Sequence, residues 1–416
     1  MMKHYYISIL IFFTVLGYAS TPYRTRILTP SIKTLQVAVE NENNSLPILE
    51  LNDTRKIEIR FDEMSHETKN YSYKVLHCNA DWTLSDITTN EYLSGYTNGY
   101  ITDYQHSVNT HYLYTHYRLN LPNDEMQFKI SGNYVILIYE DNQQDKPVAQ
   151  ACYSIVEPKV SITPTIRANT DIEINGRYQQ LDFDIALNGY YVRDPMTEIK
   201  TMVRQNNRLD NEVQNITPNY VSNSKLTYIN NKSLIFEGGN EYHNFDISSV
   251  YAVGRGVDRI AFNGNYYEAA LFPDKIQRGN YLHDFDVNGR FIINNQDAFG
   301  DVHTESDYIR VQVTLPTQRP FFDGQLYLGG EFNYNLTDQN SVMRYDNELA
   351  AYTQTLLLKQ GGYNYQYWFI PKGATKATVQ RVDGSYWQTK NEYTIYVYHR
   401  EWGARYDKLV GVNFSE

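Results

Sequence analysis

Short segments of alternating apolar and polar residues, separated by tight-turn residues, constrain the fold of this chain more than any other feature. In residues 181–187, for example, four apolar residues alternate with polar ones, as in a strand with one buried face. The chain also contains 39 tyrosines, many Val, Ile and Thr residues and repeated Asn-Gly pairs, which favour strands joined by tight turns. The sequence therefore predicts an all-β protein built from tandem immunoglobulin-like or early-set β-sandwich domains.

The strand pattern divides the chain into three modules. Residues 25–157 predict a first β-sandwich that carries a long polar insertion, and residues 158–300 predict a second β-sandwich. Residues 301–416 predict a C-terminal, early-set-like β-sandwich. Near the end of the second module, the pair Asn288-Gly289 predicts a two-residue hairpin turn between flanking strands.

The first residues predict the compartment. In residues 1–19, Lys3 precedes a run of roughly twelve apolar residues, too short to span a bilayer, which is followed by Gly17 and Ala19. This pattern predicts a secretory signal peptide. No other stretch approaches about eighteen apolar residues, and the first cysteine is Cys78. We therefore expect a periplasmic protein without a transmembrane segment or a lipid anchor.

The charge balance narrows the class of partner. The chain has 37 Lys and Arg residues against 48 Asp and Glu residues, a net charge of −11. These charges form no long block of one sign. Nucleic acid and anionic membrane surfaces are therefore poor partners for this protein.

Two cysteines, Cys78 and Cys152, both fall in predicted strands of the first module. In an oxidising compartment they could form a disulfide. Alternatively, both could pack as small buried thiols. The sequence leaves the two alternatives open.

Residues 77–122 follow no sustained helical or strand period, although they contain seven tyrosines. A polar segment of this length within a compact domain is usually functional or disordered, and its many aromatic residues argue against disorder. Asn and Asp in such a block can also satisfy local turn hydrogen bonds, and the tyrosines can pack inside the domain. The candidate residues for a partner-binding surface are Trp82, Tyr92, Tyr96, Tyr100, Tyr104 and Tyr114.

No arrangement of residues in the sequence nominates a catalytic, metal or cofactor site. His106, His111 and His116 are spaced by five residues, a spacing that converges the rings neither on a strand nor on a helix. The chain also lacks a nucleophile elbow, a phosphate-binding loop and a zinc-binding helix motif. We therefore expect a non-enzymatic protein without a metal or a cofactor.

The block of residues 77–122 resembles the first domain of the type IX secretion system plug protein family. The matching motifs are His77-Cys78-Asn79-Ala80-Asp81-Trp82, Glu91-Tyr92-Leu93-Ser94-Gly95-Tyr96, Tyr114-Thr115-His116-Tyr117 and Leu121-Pro122. Similarity continues in Arg193-Asp194-Pro195 and in Gly384-Ser385-Tyr386-Trp387. The resemblance implies a periplasmic protein of the Bacteroidota, peripheral to the outer membrane. Such a protein binds the periplasmic end of a large outer-membrane β-barrel translocon and occludes its pore.

A second resemblance supports an alternative function. The C-terminal module, with Tyr327-Leu328-Gly329-Gly330-Glu331-Phe332-Asn333 and Gly361-Gly362-Tyr363, is similar to the early-set domains of glycogen-binding modules. This resemblance implies a periplasmic carbohydrate-binding protein that stacks sugars on exposed tryptophans. The candidate residues for that role are Trp368, Trp387 and Trp402.

Overall fold

The computed structural model describes residues 21–42, 45–141, 143, 145–277 and 279–415. Nearly all regular structure in these residues is β-strand, which confirms the expected all-β class of tandem sandwiches. None of the described helices is long and apolar enough to cross a membrane. The expected signal peptide lies outside the described residues.

The elements of the first sandwich occupy residues 26–156. They are, in chain order, β1 (Arg26–Ile27), β2 (Ile32–Val39), β3 (Ile48–Glu50), β4 (Ile57–Glu63), β5 (Tyr71–Cys78), the helix α1 (Thr89–Tyr92), β6 (Leu93–Gly95), β7 (Asn98–Ile101), β8 (Asp103–His106), β9 (Thr115–Leu121), β10 (Met126–Phe128), β11 (Gly132–Glu140) and β12 (Pro147–Val156).

The remaining elements form two further sandwiches. Those of residues 161–237 are β13 (Ser161–Arg167), β14 (Tyr178–Ala186), α2 (Pro195–Glu198), β15 (Ile199–Gln205), β16 (Val213–Gln214), β17 (Tyr220–Val221), β18 (Lys225–Tyr228), a 3-10 helix (Lys232–Leu234) and β19 (Ile235–Glu237). Those after residue 242 are β20 (His243–Asp246), β21 (Val257–Phe262), β22 (Tyr267–Leu271), β23 (Phe291–Ile293), α3 (Val302–Glu305), β24 (Tyr308–Pro316), β25 (Gly324–Gly329), a 3-10 helix (Glu331–Asn333), β26 (Arg344–Asp346), β27 (Ala351–Lys359), β28 (Gly361–Pro371), β29 (Tyr393–His399) and β30 (Lys408–Ser415).

The first sandwich packs a sheet of order β1-β12-β11-β5-β7, with β3 added to β12, against a sheet of order β2-β4-β9-β8. Its core is aromatic as well as aliphatic. Phe61 stacks on Tyr117 with ring centroids 5.1 Å apart, and Tyr134 stacks on Tyr153 at 5.6 Å. Such ring pairs stabilise a core beyond the area that they bury, which explains why a tyrosine-rich sequence can form a dense interior.

The second sandwich is completed by the C-terminus. One of its sheets has the order β13-β14-β18-β17, and the other has the order β16-β15-β29-β30. In the second sheet, β15 pairs with β29 from Ile199 opposite His399 to Gln205 opposite Tyr393. The last two strands of the chain therefore belong to the same sandwich as residues 161–237.

The third sandwich is inserted between β19 and β29. It contains a sheet in which β20, β23 and β25 all pair with β28, and a sheet of order β21-β22-β24-β27-β26. The parallel pairing of β22 with β24 joins residues on the two sides of position 300. The sheets thus group the chain differently from the expected ranges 158–300 and 301–416, because alternation reveals a strand but not its partner.

The predicted hairpin at Asn288-Gly289 shows the same separation of local from long-range information. Both residues have positive φ, 53° and 87°, as a tight turn requires. However, β23 after the turn pairs with β28, and residues 281–287 before it form no strand. The turn prediction is correct, whereas the predicted strand pairing is wrong.

The first and second sandwiches share a continuous apolar core. The outer face of β11 presents Val135 and Leu137 to Tyr398 and Leu409 of the second sandwich. Asn133 extends this contact, because its side-chain oxygen accepts hydrogen bonds from the Tyr398 hydroxyl at 3.0 Å and from the Ser154 hydroxyl at 2.8 Å. The central sheet of the first sandwich is consequently buried on both faces, which fixes the two sandwiches relative to each other.

Cys78 and Cys152 lie in this shared core as free, buried thiols. They sit on β5 and β12, the two strands that flank β11, so about 10 Å of sheet separates their backbones. A disulfide needs Cα atoms closer than about 7 Å. The bridge that the sequence left open is therefore not formed. Burial raises the pKa of Cys152 to about 12 and that of Cys78 further, so both stay protonated.

The first and third sandwiches meet at a buried charge cluster centred on Asp62. Its carboxylate accepts hydrogen bonds from Lys359 Nζ at 2.6 Å, from the Tyr308 hydroxyl at 2.7 Å and from His116 Nδ1 at 2.6 Å. Lys359 and Asp62 are each 1 % exposed. Burial would raise the pKa of Asp62, but Lys359 and His116 outweigh it and hold that pKa below its usual value. The cluster thus keeps opposite charges paired across the junction.

A β-bulge in β2 completes this junction. The register of β2 against β4 shifts between Lys33 and Gln36, and Thr34 within the bulge has φ of 49°, a strained value for a β-branched residue. This conformation places the Thr34 hydroxyl 2.6 Å from that of Tyr308 and lets the Leu35 N–H donate to the Tyr334 hydroxyl at 3.2 Å. The bulge therefore turns an edge of the first sandwich toward the third.

We expect Lys359→Met to lower the free energy of unfolding by about 3–5 kcal/mol, because it leaves the Asp62 carboxylate buried without its cation. Replacing both partners, as Asp62→Leu with Lys359→Met, should recover much of this loss. Chemical denaturation measures both effects. The control is Arg118→Met, which removes an exposed pair with Asp103 and should cost at most about 1 kcal/mol. Equal effects of Lys359→Met and Arg118→Met would contradict the role of the buried pair.

A second charged cluster lies within the third sandwich. His243 donates or accepts between two carboxylates, with Nε2 2.9 Å from Asp383 and Nδ1 3.2 Å from Asp274. Tyr365 and Tyr367 also donate their hydroxyls to Asp274, at 2.5 and 2.7 Å. Burial opposes a charge on His243, but the two carboxylates outweigh it and raise the pKa of His243 to about 10. The histidine is therefore a cation that ties β20 to two acidic residues.

The raised pKa predicts a pH dependence of stability. The contribution of His243 is fully present below the unfolded pKa of about 6.5 and is lost as the pH rises toward 10, by up to about 1.4 kcal/mol per pH unit. In His243→Gln, the free energy of unfolding should fall less steeply between pH 7 and 10. Between pH 5 and 6.5 the two profiles should run parallel. Denaturation at a series of pH values tests this, and identical slopes above pH 7 would contradict a charged His243.

Candidate interface at the edge of the first sandwich

The tyrosine-rich block of residues 77–122 folds as part of the first sandwich rather than as a separate insertion. It comprises the end of β5, the helix α1, the strands β6 to β9 and the loops between them. The helix α1 begins with a capping box in which the Thr88 N–H donates to the Glu91 carboxylate at 2.7 Å. The block thus has defined local structure, as expected from its aromatic content.

Three of the six candidate interface residues are buried. Trp82, Tyr92 and Tyr114 are 6 %, 4 % and 0 % exposed. The Tyr92 hydroxyl donates to the Val75 carbonyl at 3.2 Å, which fastens α1 to the sheet. These three side chains stabilise the fold and are not available to an external partner.

Tyr114 belongs to the junction with the third sandwich. Its hydroxyl lies 2.7 Å from the Ser306 carbonyl oxygen, and Lys359 Nζ lies 4.1 Å from its ring centroid. In the same loop, the backbone N–H groups of His111 and Tyr112 donate to the Asp307 carboxylate at 2.9 and 3.0 Å. Part of the block is therefore an internal docking surface between sandwiches.

The other three candidates form an exposed set that we call the tyrosine edge. It consists of Tyr96, Tyr100 and Tyr104, which are 70 %, 64 % and 43 % exposed. Tyr104 is supported from beneath by Tyr117, whose ring centroid is 5.7 Å away. The tyrosine edge thus combines exposed apolar rings with hydroxyl groups that can hydrogen-bond to a partner.

The position of the tyrosine edge gives it a second recognition element. Tyr100 lies on β7, which pairs with β5, and Tyr104 lies on β8, which pairs with β9. Among the described strands, β7 and β8 are the last strands of their sheets on this side of the sandwich. An edge strand presents backbone N–H and C=O groups that another chain can pair with. The edge therefore offers both backbone and aromatic contacts.

A shallow depression adjoins Tyr100. It has a volume of about 800 Å³ and lies between β7 and the loop after β9, where Asp124 and Glu125 face Lys74 across it. Its lining is more polar than apolar, which suits a hydrated contact with another protein better than a small apolar ligand. The depression extends the tyrosine edge toward the loop of residues 123–125.

The three evenly spaced histidines point to different partners. His106 Nδ1 lies 3.1 Å from the Thr115 hydroxyl, His111 Nδ1 lies 2.8 Å from Asp307, and His116 Nδ1 lies 2.6 Å from Asp62. In the part of the chain that the structure describes, no group of three or more His, Cys, Asp or Glu residues could hold a metal ion. Two of the three histidines instead serve the junction between sandwiches.

The tryptophans proposed for sugar binding do not form one platform. Trp368 is fully buried, with its indole N–H donating to Gln366 at 3.1 Å and the Arg208 guanidinium 4.6 Å from its ring. Trp402 is exposed and packs against Arg193, whereas the backbone N–H of Trp387 donates to the Gly176 carbonyl. The carbohydrate-binding alternative therefore loses the tryptophan that lies on the strand β28.

Sequence reasoning missed the acidic and basic residues that organise the block. Asp62, Asp307 and Lys359 lie far from residues 77–122 in the chain, yet they bind its His, Tyr and backbone groups. One signal was present in the sequence, because Lys359 directly follows three leucines in an otherwise apolar strand. A lysine at such a position requires a buried acidic partner, although its identity is set by the tertiary fold.

With this geometry established, comparison with known proteins identifies the first sandwich. The family model described as Type 9 secretion system plug protein 1st domain matches residues 32–157. The chain belongs to this plug protein family. The match confirms the resemblance found in the sequence, and it spans both the tyrosine edge and the Asp62 side of the junction.

A solved structure resembles the plug-family chain over nearly its full length. The crystal structure of a hypothetical protein from Parabacteroides merdae ATCC 43184 is 41% identical, covers 95% of this chain and 99% of that chain, and has a TM-score of 0.93. The arrangement of all three sandwiches is therefore shared with that protein. None of the curated proteins compared with the chain matches it.

The division of the plug-domain tyrosines into exposed and buried sets predicts different effects on stability. The triple change Tyr96→Ser, Tyr100→Ser and Tyr104→Ser should alter the free energy of unfolding by no more than about 0.5 kcal/mol per site. Tyr92→Ser should cost about 3–5 kcal/mol, because it empties a buried aromatic site. Chemical denaturation measures both. A large loss of stability in the triple variant would show that the tyrosine edge is structural.

Proposed function

We propose that this protein is a non-enzymatic plug that binds the periplasmic end of the outer-membrane translocon pore of the type IX secretion system and occludes it. The observation that carries the proposal is the plug-family first domain at residues 32–157, with the tyrosine edge exposed on it. The partner is a large outer-membrane β-barrel translocon. The protein acts in the periplasm, peripherally associated with the outer membrane, as its leader sequence predicts.

The rigidity of the three-sandwich body supports this role. A stopper must keep its shape when it seats against a pore, and the structure joins the first sandwich to its neighbours by two different buried contacts. One is the apolar core around Val135 and Leu409, and the other is the charge cluster around Asp62 and Lys359. Large buried junctions of this kind oppose relative motion of domains.

The chemistry of the tyrosine edge supports reversible binding. A plug must be stable in water when it is released, so its contact surface should be polar at the rim and aromatic at its anchors. Tyr96, Tyr100 and Tyr104 supply rigid rings at low conformational cost and keep a hydroxyl for water or for a partner. The edge strands β7 and β8 add backbone groups that suit pairing with a strand of a β-barrel or of its loops.

The decisive experiment is recovery of partners from detergent-solubilised outer membranes with the tagged mature protein. We expect a very large β-barrel protein to co-purify with the wild type and to be recovered at least about tenfold less with Tyr96→Ser, Tyr100→Ser and Tyr104→Ser combined. The matched control combines Tyr191→Ser, Tyr220→Ser and Tyr251→Ser, which change equally exposed tyrosines on the other two sandwiches. The control variant should bind as the wild type does.

Two results would argue against the proposal. Failure to recover a large barrel with the wild type, from cells that demonstrably contain one, would exclude the plug function. Equal recovery with both triple variants would exclude the tyrosine edge as the contact surface. Occlusion itself is read in a deletion strain, which should admit a large antibiotic that the outer membrane normally excludes, unless the wild-type gene is restored.

A further inference from the structure

A cleft lies at the point where all three sandwiches meet. The first sandwich contributes β2, β12 and Trp82, the second contributes Arg204 and Tyr396, and the third contributes Phe291 and residues 331–335. Its enclosed volume is about 150 Å³, comparable to an engineered cavity that holds a benzene ring. The cleft is thus large enough for one ring with a short substituent, and it is distinct from the tyrosine edge.

The walls of the cleft are mostly aromatic. An apolar ring inserted between such walls gains contact area and favourable ring-to-ring geometry. The aromatic residues that line the cleft are Tyr23, Trp82, Tyr153, Phe291, Tyr334 and Tyr396.

Three buried polar atoms in the cleft lining have no hydrogen-bond partner within the described protein. They are Nε1 of Trp82, the hydroxyl oxygen of Tyr153 and Oδ1 of Asn335, and each belongs to a residue no more than 6 % exposed. Asn335 is held in place by its amide nitrogen, which donates to the Asn207 carbonyl at 3.2 Å. Unpartnered polar groups at this depth are costly. A bound molecule with complementary groups would satisfy one donor, one acceptor and one hydroxyl.

The charges around the cleft leave an excess of positive charge. Arg204 and Arg24 share one carboxylate, that of Glu212, at 2.6 and 3.6 Å. Burial and the neighbouring Arg204 lower the pKa of Arg24, which reflects this crowding of two guanidiniums. On the opposite wall, burial raises the pKa of Glu331 and so disfavours its negative charge. An anion in the cleft would relieve this imbalance.

The remaining charges that line the cleft do not change this conclusion. Glu58 and Arg60 also line it, and they form an ion pair with each other. Their charges therefore compensate one for one. The uncompensated guanidinium is on the Arg24 and Arg204 side, next to the aromatic wall formed by Tyr23 and Tyr396.

We propose that the three-sandwich cleft binds a small aromatic monocarboxylate. The carboxylate pairs with the guanidinium of Arg24 and accepts the indole N–H of Trp82, while the ring lies between the aromatic walls. A hydroxyl on the ring reaches Asn335 or Tyr153. Because all three sandwiches line the cleft, the ligand binds the packed arrangement of the domains and stabilises it by mass action.

The proposal is tested with 4-hydroxyphenylacetate as the probe and the intact mature protein in isothermal titration calorimetry. We expect saturable binding of one molecule per chain and a rise in the melting temperature with probe concentration. The amide 4-hydroxyphenylacetamide and the amine tyramine have the same ring, and each should bind at least about tenfold more weakly. Absence of saturable binding, or equal binding of acid and amide, would overturn the proposal.

Two variants locate the site. Trp82→Phe removes the indole N–H but keeps a buried ring, and Arg24→Met removes the guanidinium but keeps an unbranched chain. Each should weaken binding of 4-hydroxyphenylacetate by about tenfold or more, whereas Arg193→Met, which changes an arginine beside the exposed Trp402, should not. If Arg24→Met fails to fold, Trp82→Phe and the three-probe comparison still decide. Unchanged affinity in a folded Trp82→Phe or Arg24→Met variant would place the binding elsewhere and overturn the assignment.

Discussion

The buried pair of Asp62 and Lys359 is the interaction on which the arrangement of the molecule depends. Two charges that are 1 % exposed are stable only when each finds a partner, and here the partners lie on different sandwiches, 297 residues apart in the chain. Burial and the neighbouring charges of Arg60, His116 and Lys359 lower the pKa of His303 to about 3, so this histidine stacks on His116 as a neutral ring. The junction therefore has one defined charge state and one defined geometry, as a rigid body requires.

The same junction explains why a tyrosine-rich block need not be a single binding surface. Tyr114 is used inside the molecule, under the Lys359 ammonium, while Tyr104 lies on the exposed edge strand β8. Because β8 and the loop after it are continuous, the tyrosine edge is anchored directly to the contact between the first and third sandwiches. A force applied at the edge is thus transmitted to the buried cluster rather than absorbed by a flexible loop.

Much of the fold was predictable from the sequence, but the pairing of its strands was not. The alternating pattern of residues 181–187 correctly indicated a strand, and Asn288-Gly289 correctly indicated a turn. Neither pattern could show that β29 returns to pair with β15 or that β22 pairs with β24 across position 300. Likewise, the candidate site was found as a block, yet three of its six named residues proved to be buried. A tyrosine has the same amphipathic character in a core and at an interface, so its identity alone does not separate the two roles.

By itself, the sequence determined the all-β class, the approximate position of the first sandwich and membership of the plug family, because these depend on local alternation, turn chemistry and a long specific motif. Only the tertiary structure decided that the third sandwich is inserted into the second, that Cys78 and Cys152 stay apart on either side of β11, and that Tyr96, Tyr100 and Tyr104 face outward. The physical reason is that alternation states that one face of a strand is buried, whereas the neighbours that bury it come from residues far away in the chain.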